Sequence, residues 1–139
     1  RCCSSAASDV YKRQSIHFIN KLLDSNFQIL VLTNIPFKYL DDRKHCFQKN
    51  GLNLQIIAGN GPKGLVIKEL IRDFKEKVFF IDDLAPHISS VKEEVSRSKT
   101  IHYISDERLS KLAVSPKEAD FRAYSWKDIY NFLINEISG

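Results

Sequence analysis

Val78-Phe79-Phe80-Ile81-Asp82-Asp83 sets the architecture of the chain. Four apolar residues in a row, β-branched or aromatic, read as a short strand buried on both faces, as in parallel sheets. Two aspartates close it. A carboxylate at the end of a buried strand costs free energy unless something pairs with it.

The same grammar repeats on either side. Phe27 to Leu32 is an apolar run broken only by Gln28, and Pro36 stops it from continuing. Leu54 to Ala58 is a second strand and Thr100 to Ile104 a fourth. Helices fall between them. Ile16, Ile19, Leu22 and Leu23 have helical spacing, ended by Asp24-Ser25-Asn26. Tyr39 to Asn50 reads as a helix with Leu40, Cys46 and Phe47 inward, stopped by Gly51. Pro62 suits a first helical position, followed by Leu65, Val66, Leu70, Ile71 and Phe74. Pro86 opens another helix with Ile88, Val91 and Val95. Asp106 to Ala119 is polar, with short helical pieces at best. Ser125 and Asp128 form a capping box for a last helix with Ile129, Phe132, Leu133 and Ile137 on its apolar face. Single helices alternating with strands imply an α/β fold with a mostly parallel sheet covered on both faces.

In such a sheet the carboxyl ends of the strands form the ligand edge. Thr33 and Asn34 end the first strand, Lys63 stands near a helix start, and Asp82 with Asp83 ends the third strand. A hydroxyl and backbone N–H, an ammonium at a helix N-terminus and a carboxylate pair suit phosphoryl chemistry. Two carboxylates are also a sufficient protein contribution to Mg²⁺, which keeps several waters. Each signal has a plainer reading. Asn-x-Pro is ordinary turn chemistry, a lysine is usually solvated, and Asp82 or Asp83 serves equally as a helix N-cap. The histidines, His17, His45, His87 and His102, show no ligand spacing and read as surface or partly buried residues. Only His87 follows the aspartates closely.

The first fourteen residues read differently. Ser4 to Gln14, SSAASDVYKRQ, resembles a translated reading frame of a transposase adapter used in DNA sequencing libraries. Residues 1–14 are therefore set aside as a non-native tail, and 15–139 are taken as one partial domain. Without Arg1, Lys12, Arg13 and Asp9 the net charge of +4 becomes +2. No basic patch argues for a nucleic-acid partner. With Cys2 and Cys3 gone, Cys46 alone makes neither a disulfide framework nor a zinc site, and a reducing, cytoplasmic setting is expected. No apolar stretch approaches the roughly 20 residues of a membrane span.

Taken in order, Val31-Leu32-Thr33-Asn34, Lys63-Gly64 and Phe80-Ile81-Asp82-Asp83 resemble the second, third and fourth motifs of the haloacid dehalogenase superfamily of phosphatases and phosphotransferases. The resemblance spans roughly Ser15 to Phe132. It implies a Rossmann-like three-layer α/β/α fold, a Mg²⁺ cofactor and a phosphorylated small-molecule substrate. It also implies roles: Thr33 and the Asn34 backbone hold phosphoryl oxygens, Lys63 neutralises developing charge, and Asp82 and Asp83 hold the metal. The family's first motif, Asp-x-Asp, occurs nowhere in the chain. Its first Asp is the family's nucleophile, and its strand lies between those ending at Thr33 and Asp82. That central strand is thus expected upstream of Ser15. A fragment without it is expected to be inactive. Thirty positions separate Thr33 from Lys63, filled by a helix and a strand, which leaves no room there for a substrate-selecting cap.

A rival reading uses Gly59-Asn60-Gly61-Pro62-Lys63-Gly64, a G-x-G-x-x-G run between a strand and a helix, with Asp82 at the next strand end. That is the context of an NAD(P) fingerprint. Against it, the fingerprint normally opens its domain, and Lys63 is bulky where backbone must approach a pyrophosphate. A non-catalytic binding module of the same fold is the third reading.

Overall fold

The computed structural model of the chain describes residues 13–33, 37–49, 51, 54–58, 63–104 and 107–138, apart from the side chains of 13, 14, 33, 37, 43, 46, 47, 58 and 107. Asn34, residues 59–62 and Ser105 lie outside the described residues, as do residues 1–12 of the adapter-like segment. The inward placement expected of Cys46 and Phe47 also falls outside them. The chain divides into two compact units, 1–61 and 62–139.

The first unit contains α1 (Arg13–Asp24), a 3-10 turn (Phe37–Tyr39), α2 (Leu40–Lys49) and strands β1 (Leu30–Thr33) and β2 (Gln55–Ala58). The described helix takes in Arg13 and Gln14, so the boundary drawn at Ser15 falls inside α1. Ile19 and Leu22 are buried, as their spacing requires. Asn26 ends α1 in the left-handed region at φ 69°. Phe27 N–H donates to the Leu22 carbonyl and Asn26 N–H to that of Leu23, a Schellman closure built on Asn instead of Gly. Gly51, at φ +80°, follows α2 as expected, its N–H donating to the Gln48 carbonyl. β1 and β2 pair in parallel, with Thr33 opposite Ala58.

The second unit contains α3 (Lys63–Leu70), β3 (Phe79–Asp82), α4 (Ala85–Glu94), β4 (Lys99–Tyr103), α5 (Glu107–Leu112), β5 (Phe121–Ala123) and α6 (Trp126–Ser138). Its sheet runs β3-β4-β5, with both pairings parallel. The protein is therefore mixed α/β, and every described strand pairing is parallel. The core gathers Ile88 and Val91 of α4, Ile101 of β4, Ala123 of β5 and Ile129 of α6, none with any accessible surface.

Neighbouring residues on a strand face opposite ways. Ile101 and Tyr103 share a side with Phe121 and Ala123 through the β4–β5 register. Phe121 stacks on Phe132 of α6 at 4.5 Å, and Tyr103 meets Trp126 edge-on at 6.0 Å. The other side carries Phe80, Asp82, Thr100, His102 and Arg122, aligned by the two registers. Polar groups dominate that side, and each pairs locally. Asp120 accepts from Lys92 Nζ at 2.8 Å and from the Thr100 N–H at 2.8 Å. Arg122 donates to the Ser110 carbonyl and Oγ and to Ser115 Oγ.

Three elements differ from expectation. α3 ends at Leu70, short of Ile71 and Phe74, and it buries Ile67 while Leu65 and Leu70 are exposed. β5 was not foreseen: Phe121-Arg122-Ala123 alternates as a strand does, but three residues are too short a run to mark one, and it forms by pairing with β4. The last helix has its box slightly displaced. Asp128 N–H donates to Ser125 Oγ at 3.2 Å, but the Asp128 carboxylate reaches Tyr124 N–H at 3.0 Å, one residue before the cap.

Candidate active site

β3 delivers Asp82 and Asp83 to the carboxyl end of the second sheet, beside His102 on β4. α3 begins at Lys63, so its ammonium and the positive end of the helix lie together. Lys63 Nζ donates to Asp82 Oδ2 at 2.6 Å, with side-chain exposures of only 13% and 6%. Nζ also lies 6.0 Å from the centre of the Phe80 ring. The other oxygen, Oδ1, accepts the backbone N–H of Asp83 at 2.7 Å and of Leu84 at 3.0 Å. This buried carboxylate is thus held by one ammonium and two amides.

The close seat of α3 depends on Gly64. Its N–H donates to Ser90 Oγ of α4 at 3.1 Å. A Cβ there would sit 2.6 Å from the Ser90 carbonyl carbon and 2.7 Å from its Oγ. Only glycine lets the start of α3 approach α4 this closely, and that approach carries Lys63 to Asp82.

The plainer reading of the acidic pair as helix caps does not hold. Leu84 occupies the N-cap position of α4, in extended conformation and without a side-chain cap bond. Asp82 instead folds its own following turn, accepting from Asp83 and Leu84 before the helix starts.

The two carboxyls are shifted in opposite directions. For Asp82, burial alone would raise the pKa; the hydrogen bonds from its neighbours, with the Lys63 charge, outweigh it and hold the group below the ordinary carboxylate range. Asp83 is exposed as a residue, yet its carboxyl is partly desolvated and crowded by the Asp82 carboxylate, which pushes it up to about 6. Between about pH 4 and 6 the folded chain therefore keeps a proton on Asp83 that the unfolded chain releases. On this account stability falls as pH rises through that window. Asp82 acts in the opposite sense, its contribution present above about pH 4 and lost as pH falls through its lowered value. Asp83→Asn removes the first effect and leaves Lys63 and the two amides on Asp82. Urea unfolding in metal-free buffer should show the variant gaining on the wild type at about pH 7 and gaining less at about pH 4.5. An equal difference at both values would contradict the crowding.

His102 is the residue that sequence reasoning missed. It is 1% exposed. Its Nε2 lies 2.9 Å from the Asp83 carbonyl, and Nδ1 lies 2.8 Å from Ser115 Oγ. A carbonyl can only accept, so Nε2 donates to the Asp83 carbonyl, while Nδ1 pairs with the Ser115 hydroxyl. This ring fixes the backbone at Asp83 from the neighbouring strand. A signal did exist: His102 sits mid-strand in Lys99–Tyr103, where a polar side chain needs buried partners. His87, the histidine nearest the aspartates in sequence, lies in the first turn of α4.

The structure thus joins Lys63, Asp82 and Asp83 within the second unit. Thr33 closes β1 in the first unit, and Asn34 lies outside the described residues. Among the described residues no group of three or more His, Cys, Asp or Glu side chains stands where it could hold a metal ion. Two adjacent carboxylates nonetheless fit one edge of a hard-cation site, because Mg²⁺ takes one or two protein carboxylates and fills its shell with water and phosphate oxygens.

Comparison with protein-family models, with curated proteins and with solved structures finds no match. The class that fold and site define by themselves is an α/β protein with parallel sheets and a lysine–aspartate pair at a strand's carboxyl end.

Proposed function

We propose that this chain carries the charge-handling part of a Mg²⁺-dependent phosphohydrolase or phosphotransferase of the haloacid dehalogenase type, with a three-layer α/β/α fold, acting on a phosphorylated small molecule in the cytoplasm. The observation that carries the reading is the 2.6 Å pair of Lys63 and Asp82, which brings two motifs 19 residues apart into contact at a strand end. In the proposed enzyme an Asp upstream of Ser15 attacks phosphorus and breaks its bond to the substrate's ester oxygen, which leaves as the alcohol; the resulting aspartyl-phosphate then passes its phosphoryl group to water or to an acceptor hydroxyl. Thr33 and the Asn34 backbone hold the phosphoryl oxygens. Lys63, oriented by Asp82, offsets the charge that develops on them. Asp82 and Asp83 hold Mg²⁺, which supplies charge neutralisation when bound. No helix among the described residues is long and apolar enough to cross a membrane.

The dinucleotide reading loses support at Gly64. The third glycine of that fingerprint lets the helix pack closely on a strand, but Gly64 serves a helix–helix contact with Ser90. The glycines Gly59 and Gly61 lie outside the described residues. Thermal unfolding separates the two readings. Mg²⁺ with a phosphate analogue is expected to raise the melting temperature of the chain extended by its genomic upstream sequence, and NAD(P) to leave it unchanged. The reverse pattern would replace the phosphoryl reading with the dinucleotide one.

A further inference from the structure

Beside Asp83 the second unit holds a cleft of about 310 Å³, lined by Asp83, Leu84, Ile104, Leu109, Leu112 and Ala113. Its size falls in the range of small-molecule sites, roughly 300–1,000 Å³. Leu84 follows β3 and Ile104 follows β4, so it opens at the carboxyl ends of parallel strands, where α/β proteins bind ligands. Of these lining residues, Asp83 alone has a polar side chain. The rest present branched aliphatic or methyl surface, much of it accessible: Leu84 is 52% exposed and Leu112 81%.

From this placement, and resting on the phosphoryl reading above, we infer that the cleft receives the organic part of the substrate and that this part is apolar, as in an aryl or branched-alkyl phosphomonoester. Asp83 joins the two halves: it belongs to the acidic pair and to the cleft wall. A sugar or a nucleoside would leave its hydroxyls facing leucine and isoleucine side chains, and a polar group desolvated without a partner costs binding energy. An apolar group gains by covering the same surface.

The test follows amide NMR spectra of the chain during titration with naphthyl phosphate, methyl phosphate and naphthol, each with Mg²⁺. Naphthyl phosphate should bind about tenfold or more tightly than methyl phosphate, with saturable shifts at Leu84, Leu109, Leu112 and Ala113. Naphthol should shift the same four. In a Leu109→Ser/Leu112→Ser double variant the aryl advantage should vanish while the response of Asp83 to Mg²⁺ stays. Both leucines are more than half exposed, so the fold tolerates the change. Equal affinity for the two phosphates, with Mg²⁺ and methyl phosphate still felt at Asp83, would overturn the cleft assignment and leave the phosphoryl site standing. Naphthol bound in the cleft, with the phosphate group adding nothing and Mg²⁺ unfelt at Asp83, would overturn the phosphoryl reading and the substrate class with it. Absence of saturable shifts at the four residues in the wild-type chain would also overturn the assignment.

Discussion

Replacing Lys63 by Ala, or Asp82 by Asn, is expected to lower kcat by about 10²-fold or more in the chain extended by its upstream sequence. The two residues fail for related reasons. Lys63 places a positive charge in a spot where both partners are largely shielded from water, and shielding makes each charge count for more. Alanine removes that charge and leaves Asp82 with only two amides. Asn at 82 keeps the shape but loses the ionic hold on Nζ, so the ammonium is free to wander. It also removes one of the two carboxylates assigned to Mg²⁺. KM should change less than kcat for Lys63→Ala, because the charge it offsets grows in the transition state. Steady-state kinetics on an aryl phosphate read both quantities. Wild-type turnover in either variant would remove that residue from the site.

Gly64→Val is expected to cost the second unit about 2 kcal/mol or more. A side chain at this position meets the Ser90 backbone of α4, not the end of a flexible side chain, so relief requires moving a whole helix. Overpacking of this kind costs about 1–3 kcal/mol, and a β-branched residue adds bulk in the same direction. The gain in helix propensity over glycine, under about 1 kcal/mol, does not offset it. The shift should also draw Lys63 away from Asp82 and lose the Gly64 N–H bond to Ser90. Urea unfolding followed by circular dichroism measures the effect. Lys68→Ala, on the exposed side of the same helix, is the control expected to change little. An unchanged midpoint for Gly64→Val would mean that α3 does not rest on α4 through this residue.

Much of the fold was legible because continuous apolar runs mark buried parallel strands. Expected strands at 28–33, 54–58, 78–82 and 100–104 appear at 30–33, 55–58, 79–82 and 99–103. The first three ladders begin one or two residues late, after apolar residues that lead into them, whereas β4 begins one residue early, at Lys99. Helix stops were readable from Asn26 and Gly51, both in the left-handed region. β5 was not, since the alternation of Phe121-Arg122-Ala123 is only three residues long and its place depends on β4. Of the site, the residue types and their order were visible, and the acidic pair stood out because charge follows a buried run. Which oxygen Lys63 meets was not visible, because contacts between residues 19 apart depend on how α3 seats on α4. His102 escaped for the same reason. Its partners, the Asp83 carbonyl and Ser115, come from a loop and a neighbouring strand end, and no spacing along the chain announces them.

The most direct measurement is turnover of an aryl phosphate by the chain joined to its genomic upstream sequence, with Mg²⁺ and then with chelator. An Asp-x-Asp after an apolar run upstream of Ser15, Mg²⁺-dependent release of phosphate, and loss of that release when the first of those aspartates becomes Asn are the expected result. An upstream sequence without that motif, or an extended protein that binds Mg²⁺ at Asp82 and Asp83 yet releases no phosphate, would contradict a phosphoryl-transfer role for Lys63, Asp82 and Asp83.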